Sequence, residues 1–398
     1  MFNLLKGLRI IDLTTVVLGP YATQILGDLG ADVIKIESFE GDVLRAARPG
    51  RRDDLGVHFL NFNRNKRSVV LDLKKESGQK VLHSLVAGAD VFVHNMRSRS
   101  AAQLGASHET LTALNPALVY CYSPGFGDQG PDRDAPAYDD IIQARSGLAS
   151  LNTDSTGAPQ FVPTIVCDKV TGLHLALAIA SGVIQRQRTG HGVCIEAPML
   201  ESMVSFLLSE HLAGHTLIPA EGKLAYARMM SKKRKPHKTK DGYLAILPYS
   251  TKHWVRFFQI CKLEDWATDD KVVDPVSRSE HIDELYGKLA ELALTRTTAE
   301  WKDVLAEQDI PCSHVSSLED LLTDAHLQAV RMFNRIADDR IGEICELRSP
   351  YQVDGQLSHE QHPNTVAPGI GEHTREVLLE LGYSDEAIAA LRQDGVVA

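Results

Sequence analysis

Short apolar runs alternate with amphipathic stretches through the first half of the chain. Leu8 to Leu13 (LRIIDL) is followed by the turn TTVVLGP, the helical pattern YATQILGDLG and a second run, ADVIKIES. The sequence predicts strand, loop, helix, strand, which is a parallel βαβ unit of about 30 residues with a right-handed crossover. The pattern recurs. SVVLDLKK predicts a strand, ESGQKVLHSLVAGA a helix with Leu82, Leu85 and Val86 on one face, and DVFVHNM another strand. A third unit has the helix QLGASHETLTALNP and the strand ALVYCYS. It ends in a glycine- and proline-rich loop, Pro124 to Pro136, too long for a simple connector and so a lid or binding-loop candidate. Alternating strands and helices of this kind predict an α/β fold with a parallel sheet.

Phe161 to Ser202 breaks the rhythm with one long helix. Val170, Leu173, Leu175, Leu177, Ile179, Val183 and Ile184 recur too densely for a one-sided surface helix, so burial on most faces is expected. Asp168 stands at its start. Two readings fit it: a helix N-cap, or a carboxylate held rigidly at a cleft beside a helix N-terminus. The loop Thr14 to Pro20 lies at the carboxyl end of the first strand, where open α/β sheets bind ligands, but it is not GxGxxG. In NFNRNKR, Arg64, Lys66 and Arg67 form either a solvated basic turn or a phosphate clamp.

Beyond Ser202 a helix, VSFLLSEHLAG, gives way at Gly214 to a change of composition. Ser231 to Lys240 is the most basic segment, read as a solvated linker or interface in preference to a nucleic-acid contact, and Asp241-Gly242 predicts a hairpin turn. Leu285, Leu289, Leu292 and Leu294 mark a helical packing face, Ile341 to Val353 gives strand-like pieces, and two helices separated at Gly382-Tyr383 close the chain.

A length of 398 residues makes two domains the default, and 43% apolar with 24% charged residues is the composition of a soluble globular protein. A net charge of −10 argues against a nucleic-acid partner and for a small-molecule ligand. Six cysteines without CxxC spacing read as reduced thiols, with Cys167 a packing residue. No stretch reads as a membrane span or signal peptide, so a cytoplasmic protein is expected, or an organelle-matrix one if eukaryotic. The sixteen histidines never form HExxH and no GxSxG follows a strand, so neither a metal site nor a serine hydrolase elbow is expected. What remains is an α/β cradle suited to a phosphate-bearing ligand, with Asp168 as a carboxylate able to act as a covalent nucleophile.

Several separated stretches then resemble one family. LKGLRIIDLTTVVLGPYATQILGDLGADVIKIES, the pair Gly41-Asp42 with Arg45, FNRNKRSVVLDLK, DVFVHNM and DKVTGLHLALAIASGVIQRQRTGHGVCIEAPMLES are similar to the family III CoA-transferases, also called the CaiB/BaiF family. The resemblance covers essentially the whole chain. It implies that Asp168, in a DxxxG motif, attacks an acyl-CoA thioester to give a mixed aspartyl anhydride and then an aspartyl-CoA thioester, from which an acceptor carboxylate leaves as its own CoA thioester. CoA contacts carry over to Val16, Val17, Leu71, Lys74, Asn95 and Met96, with basic residues near Arg64 toward the phosphates and Arg97 or Arg99 expected to compensate where family phosphate contacts are missing. Coenzyme A and acyl-CoA are then substrates, and no permanently bound cofactor is expected.

Ser38, Gln103 and Pro136 stand where the formyl-CoA transferase branch carries basic residues, and its glycine-rich loop is not evident around Ala220 to Met230. The α-methylacyl-CoA racemases carry a histidine where this chain has Tyr138, ahead of Asp139, which favours a transferase over a racemase or epimerase. A non-enzymatic CoA-binding protein and an NAD-dependent oxidoreductase are the remaining alternatives. The resemblance implies an intertwined homodimer without nucleic-acid or membrane partners. Residues 1–205 and 325–398 would form a large Rossmann-like domain, 206–230 a linker, and 231–324 a smaller α+β domain. The reaction expected is transfer of CoA to a small carboxylic acid, such as the dicarboxylate succinate.

Overall fold

The computed structural model describes residues 1–398 and divides into two compact units: Met1–Leu207 with Ala329–Ala398, and Leu208–Gln328. Residues 208–230, read as a linker, fall within the second unit.

The first unit is built on six strands: β1 (Arg9–Leu13), β2 (Asp32–Glu37), β3 (Lys66–Val70), β4 (Val91–His94), β5 (Val119–Tyr122) and β6 (Val193–Glu196). All pair in parallel, in the order β3-β2-β1-β4-β5-β6. Their apolar runs are continuous because both faces of the sheet are covered. Side chains alternate across the pleat. Ile10, Val33, Val91, Val93, Val119 and Cys121 pack into one core, and Ile11, Ile34, Phe92 and Tyr120 into the other.

The helices are α1 (Leu18–Asp28), α2 (Val57–Asn63), α3 (Glu76–Ala87), α4 (Ser98–Gln103), α5 (His108–Leu114), α6 (Asp139–Arg145), α7 (Leu148–Leu151), α8 (Val166–Thr189) and α9 (Met199–His211). The single helix expected over QLGASHETLTALNP is two, α4 and α5, because Gly105 turns the chain at φ +70° between them. Val81, Leu82, Leu85 and Val86 of α3 are buried as the periodicity predicts. The carboxyl-terminal helices Thr374–Glu380 and Asp385–Gln393 join the same core through Val377, Leu378 and Ile388.

α8 differs from expectation in two ways. Only one side is buried, through Thr171, Gly172, Leu175, Ala176, Ile179, Gly182 and Val183. Leu173, Leu177 and Ile184 are 49%, 65% and 56% exposed. By length and composition α8 is also apolar enough to cross a bilayer, which corrects the reading that no stretch is. Its buried side lies on the sheet core with α1. Gly172 makes the approach possible, since a Cβ there would sit 2.8 Å from the Leu18 carbonyl oxygen.

The second unit holds a three-stranded antiparallel sheet, His237–Lys238, Tyr243–Ile246 and Cys312–His314, with Asp241-Gly242 in the predicted turn. Its core stacks Trp254, Phe257, Phe258, Tyr286 and Trp301. Leu285 and Leu289 are buried there, while Leu294, read as part of the same face, is half exposed.

Candidate active site

The strand order reverses direction between β1 and β4, and ligands of open parallel sheets bind where the loops leaving such a pair diverge. Here those loops are tied together. The Thr15 N–H donates to Asn95 Oδ1 at 3.0 Å, and Asn95 Nδ2 donates to the Thr15 carbonyl at 2.9 Å. The next residue, Val16, has φ +70°, a left-handed conformation that strains a β-branched side chain. Its N–H donates to Asp42 Oδ2 at 3.2 Å, and Lys35 Nζ holds Asp42 at 3.1 Å and the Thr14 carbonyl at 2.8 Å.

A buried charge network supports this loop from below. Asp12 receives Lys66 Nζ at 3.1 Å, Thr14 Oγ1 at 2.5 Å and Thr23 Oγ1 at 2.7 Å. Burial alone would raise the Asp12 carboxyl, but Lys66, Lys35 and the two hydroxyls bring it down to about 2. On the β4 side, His94 is buried and donates from Nε2 to Tyr120 Oη at 2.8 Å, since the Tyr120 hydroxyl itself donates to the Ala106 carbonyl. His94 Nδ1 then accepts the Met96 N–H at 3.2 Å, and burial pushes the imidazole down to about 4, so the ring is neutral.

Above these loops lies a cavity of about 370 Å³ lined by Thr15, Val16, Asn95, Met96, Arg97, Gly125, Tyr138 and Asp168, among others. Asp168 sits in the first turn of α8, three residues past the cap position at Ile165, and makes no capping bond. The cap reading is therefore wrong. The exposed donors of that turn go to Asp139 at the start of α6, whose Oδ1 accepts the Cys167 N–H at 2.7 Å and the Asp168 N–H at 3.0 Å. Gln143 Nε2 donates to Asp139 Oδ2 at 2.7 Å, and its Oε1 accepts the Val162 N–H at 2.8 Å, fixing the entry to the helix. The Asp168 carboxylate has no cationic partner. Burial first, and the charge of Asp139 second, push its carboxyl up to about 7. Cys167 beside it is buried, and burial pushes its thiol up to about 12, which makes it an inert packing residue.

Of the residues expected at a site, the cavity gathers Asp168, Val16, Asn95, Met96 and Arg97, together with Pro136 and Tyr138. Arg97 is exposed and donates to the Asp134 carbonyl at 2.7 Å. Val17 is buried at the head of α1 and Leu71 is buried beside Val397. Lys74 is exposed, as are Ser38 and Gln103, and none of these lines the cavity.

The basic turn is neither solvated nor free to clamp phosphate. Arg64 gives Nε and Nη2 to Asp28 at 2.8 and 2.5 Å, with Glu346 at 3.6 Å, beside a separate cavity of about 510 Å³. Lys66 is spent on Asp12, and Arg67 on Asp32, Glu376 and Glu380. The loop 124–136 is also tied down. The Asp128 carboxylate accepts from Tyr122 and Ser98, and the Gly127 N–H donates to Glu201.

The unit is a six-stranded parallel α/β fold with an unpaired carboxylate at its switch-point crevice. The model of CoA-transferase family III matches residues 5–374, and the chain belongs to that family. It is an enzyme of the transferase class. Succinyl-CoA:glutarate CoA-transferase of Mus musculus is 32% identical to it over 398 residues, covering 99% of this chain and 90% of its own. Formyl-CoA:oxalate CoA-transferase of Rhodopseudomonas palustris strain BisA53 is 29% identical and covers 100% and 98%. A CaiB/BaiF family protein from Brucella suis, 28% identical, superposes with a TM-score of 0.77 over 95% of this chain and 99% of its own.

Proposed function

We propose that this transferase moves CoA from an acyl-CoA donor to a small dicarboxylic acid, with Asp168 as the covalent carrier. The observation that carries the reading is the Asp168 carboxyl itself: unpaired, facing the switch-point cavity, and raised to about 7, so that near neutral pH it is available both ionised and weakly solvated. The Asp168 oxygen attacks the donor thioester carbonyl, the C–S bond breaks, and CoA leaves as a thiolate with a mixed anhydride behind it. The thiolate attacks the Asp168 carbonyl carbon, releasing the donor acid and leaving an aspartyl-CoA thioester. The acceptor carboxylate attacks that carbonyl in turn and expels the thiolate. Attack of the thiolate on the acceptor's acyl carbon frees Asp168 and the new acyl-CoA. Each step exchanges one acyl bond for another, so no oxidant or metal is required. The dicarboxylate reading is supported by the mouse relative named for glutarate and the bacterial relatives named for oxalate.

The strained Val16 loop, held by Asp42 and Asn95, would keep the thioester end of CoA in place over Asp168. The exposed apolar positions Leu173, Leu177 and Ile184 of α8 support pairing with a second copy of the chain. Sedimentation of Leu177→Glu would then show a lighter species than wild type; equal masses would remove this face from any dimer interface.

Intact-protein mass spectrometry with a panel of acyl-CoA donors and hydroxylamine tests the covalent step. A hydroxylamine-sensitive, donor-dependent adduct at Asp168, lost in Asp168→Ala, is the expected result. Exchange of an α-proton with solvent deuterium and no adduct with any donor would overturn the reading in favour of a racemase.

A further inference from the structure

The second unit contains a cavity of about 290 Å³ whose walls carry two arginines and no acidic side chain. Arg228 lies with its guanidinium 5.0 Å from the Tyr249 ring centre and donates from Nε to the Tyr286 hydroxyl at 2.9 Å. Arg278 donates from Nη1 to Thr251 Oγ1 at 2.8 Å and to the Val272 carbonyl at 2.6 Å. All of these oxygens are neutral. Arg64, Arg67 and Arg340, by contrast, each hold at least one carboxylate. Asp274, next to the lining residue Pro275, accepts the Ser277 N–H at 2.7 Å and reaches Arg278 through its charge alone, without an ion pair. Two guanidiniums therefore face one cavity with no carboxylate in direct contact, and their fork geometry matches carboxylate oxygens. Trp254 and Tyr286, both nearly fully buried, form a rigid apolar wall between the charged groups and the core.

We propose that this cavity is a binding site for a small dicarboxylate, with Arg228 and Arg278 as its two anion-holding groups. Its volume falls just under the roughly 300–1,000 Å³ of sites for drug-sized ligands, which suits a short-chain diacid and not a whole CoA. The Tyr286 hydroxyl, accepting from Arg228, keeps its own proton to donate to the ligand. The assignment of this diacid to the transfer reaction rests on the dicarboxylate reading above.

The test uses the full chain and glutarate as the probe, followed by tryptophan fluorescence, since Trp254 lines the cavity, and by equilibrium dialysis. Saturable binding is expected in wild type and in Asp168→Ala, weakened about tenfold or more in Arg228→Gln and in Arg278→Gln. Arg228→Lys, which keeps the charge and loses the fork, should fall between, and matching thermal midpoints show that each variant is folded. Unchanged affinity in both glutamine variants, absence of saturable binding, or equally tight binding of inorganic phosphate or adenosine 3′,5′-bisphosphate would each overturn the proposal. Donor-dependent labelling of Asp168 needs no acid acceptor, so its presence or loss reports on the covalent reading separately.

Discussion

Asp12 and Asp168 are carboxylates of the same unit, and their surroundings drive them in opposite directions. Asp12 is fully buried, yet its carboxyl is brought down to about 2, because Lys66 and Lys35 flank it and two hydroxyls donate to it. Asp168 is less buried, yet its carboxyl rises to about 7, because no cation offsets the effect of burial and the like charge of Asp139 adds to it. Burial raises both carboxyls, so its depth alone does not set the direction of the shift; only Asp12 has cations and donors that reverse it. One carboxylate is kept permanently ionised to hold the Val16 loop, and the other is left poised to give or share its electrons. Their effects on stability are opposite in sign. Asp12 contributes stability above its ordinary value of 3.8 that is lost as pH falls toward about 2. Asp168 binds its proton more tightly in the folded protein, so its contribution falls as pH rises from 3.8 through about 7.

Asp168→Asn should break the functional half of this contrast most severely. Loss of a nucleophile of this kind lowers turnover on the order of 10⁴-fold or more. The fold should not suffer, because a poorly solvated carboxylate is exchanged for a neutral amide of the same shape. Steady-state transfer assays and thermal melts at pH 8 check the two halves together; substantial residual transfer would remove Asp168 as the carrier. Asp12→Asn reverses the pattern. It leaves Lys66 and Lys35 buried with one anion fewer, which costs about 3–5 kcal/mol. Urea unfolding at neutral pH measures the loss, and a cost below about 1 kcal/mol would mean the pair behaves like a surface contact.

The contrast also marks what the sequence could show. The strands were legible because each is a continuous apolar run, and the switch-point loop because it follows the first of them. Asn95 and Met96 were placed by resemblance, and the structure brings them to the same cavity as Val16. The fate of the basic turn was not legible. Lys66 finds Asp12 fifty-four residues away, and Arg64 finds Asp28 and Glu346, so pairing rather than composition decides whether these charges are free. Asp168 looked like a cap because local sequence cannot show that Asp139, from another helix, takes the exposed N–H groups instead. The Gly of DxxxG reads only as a motif until Leu18 of α1 is seen against it. The missing burial of α8 at Leu173 and Leu177 has the same origin, since periodicity reports that a face is apolar and not what covers it.

The smallest of the expected effects tests the cause of the Asp168 shift most directly. Asp139→Asn removes a negative charge while Oδ1 can still accept the Cys167 and Asp168 N–H groups. The amide would face the Gln143 side-chain nitrogen, donor against donor, so a loss of about 1 kcal/mol of stability is expected. Burial, the larger cause of the shift, persists in the variant. The Asp168 carboxyl should therefore fall from about 7 by roughly one unit and not return to its ordinary value. Donor-dependent labelling of Asp168, followed against pH, would then rise to its plateau about one unit lower than in wild type. The variant should label faster than wild type near pH 6 and equally fast near pH 8. A midpoint that stays in place would assign the whole shift to burial. A uniform loss at every pH would confine Asp139 to building the entrance of α8, and the like-charge half of the contrast between Asp12 and Asp168 would fall with it.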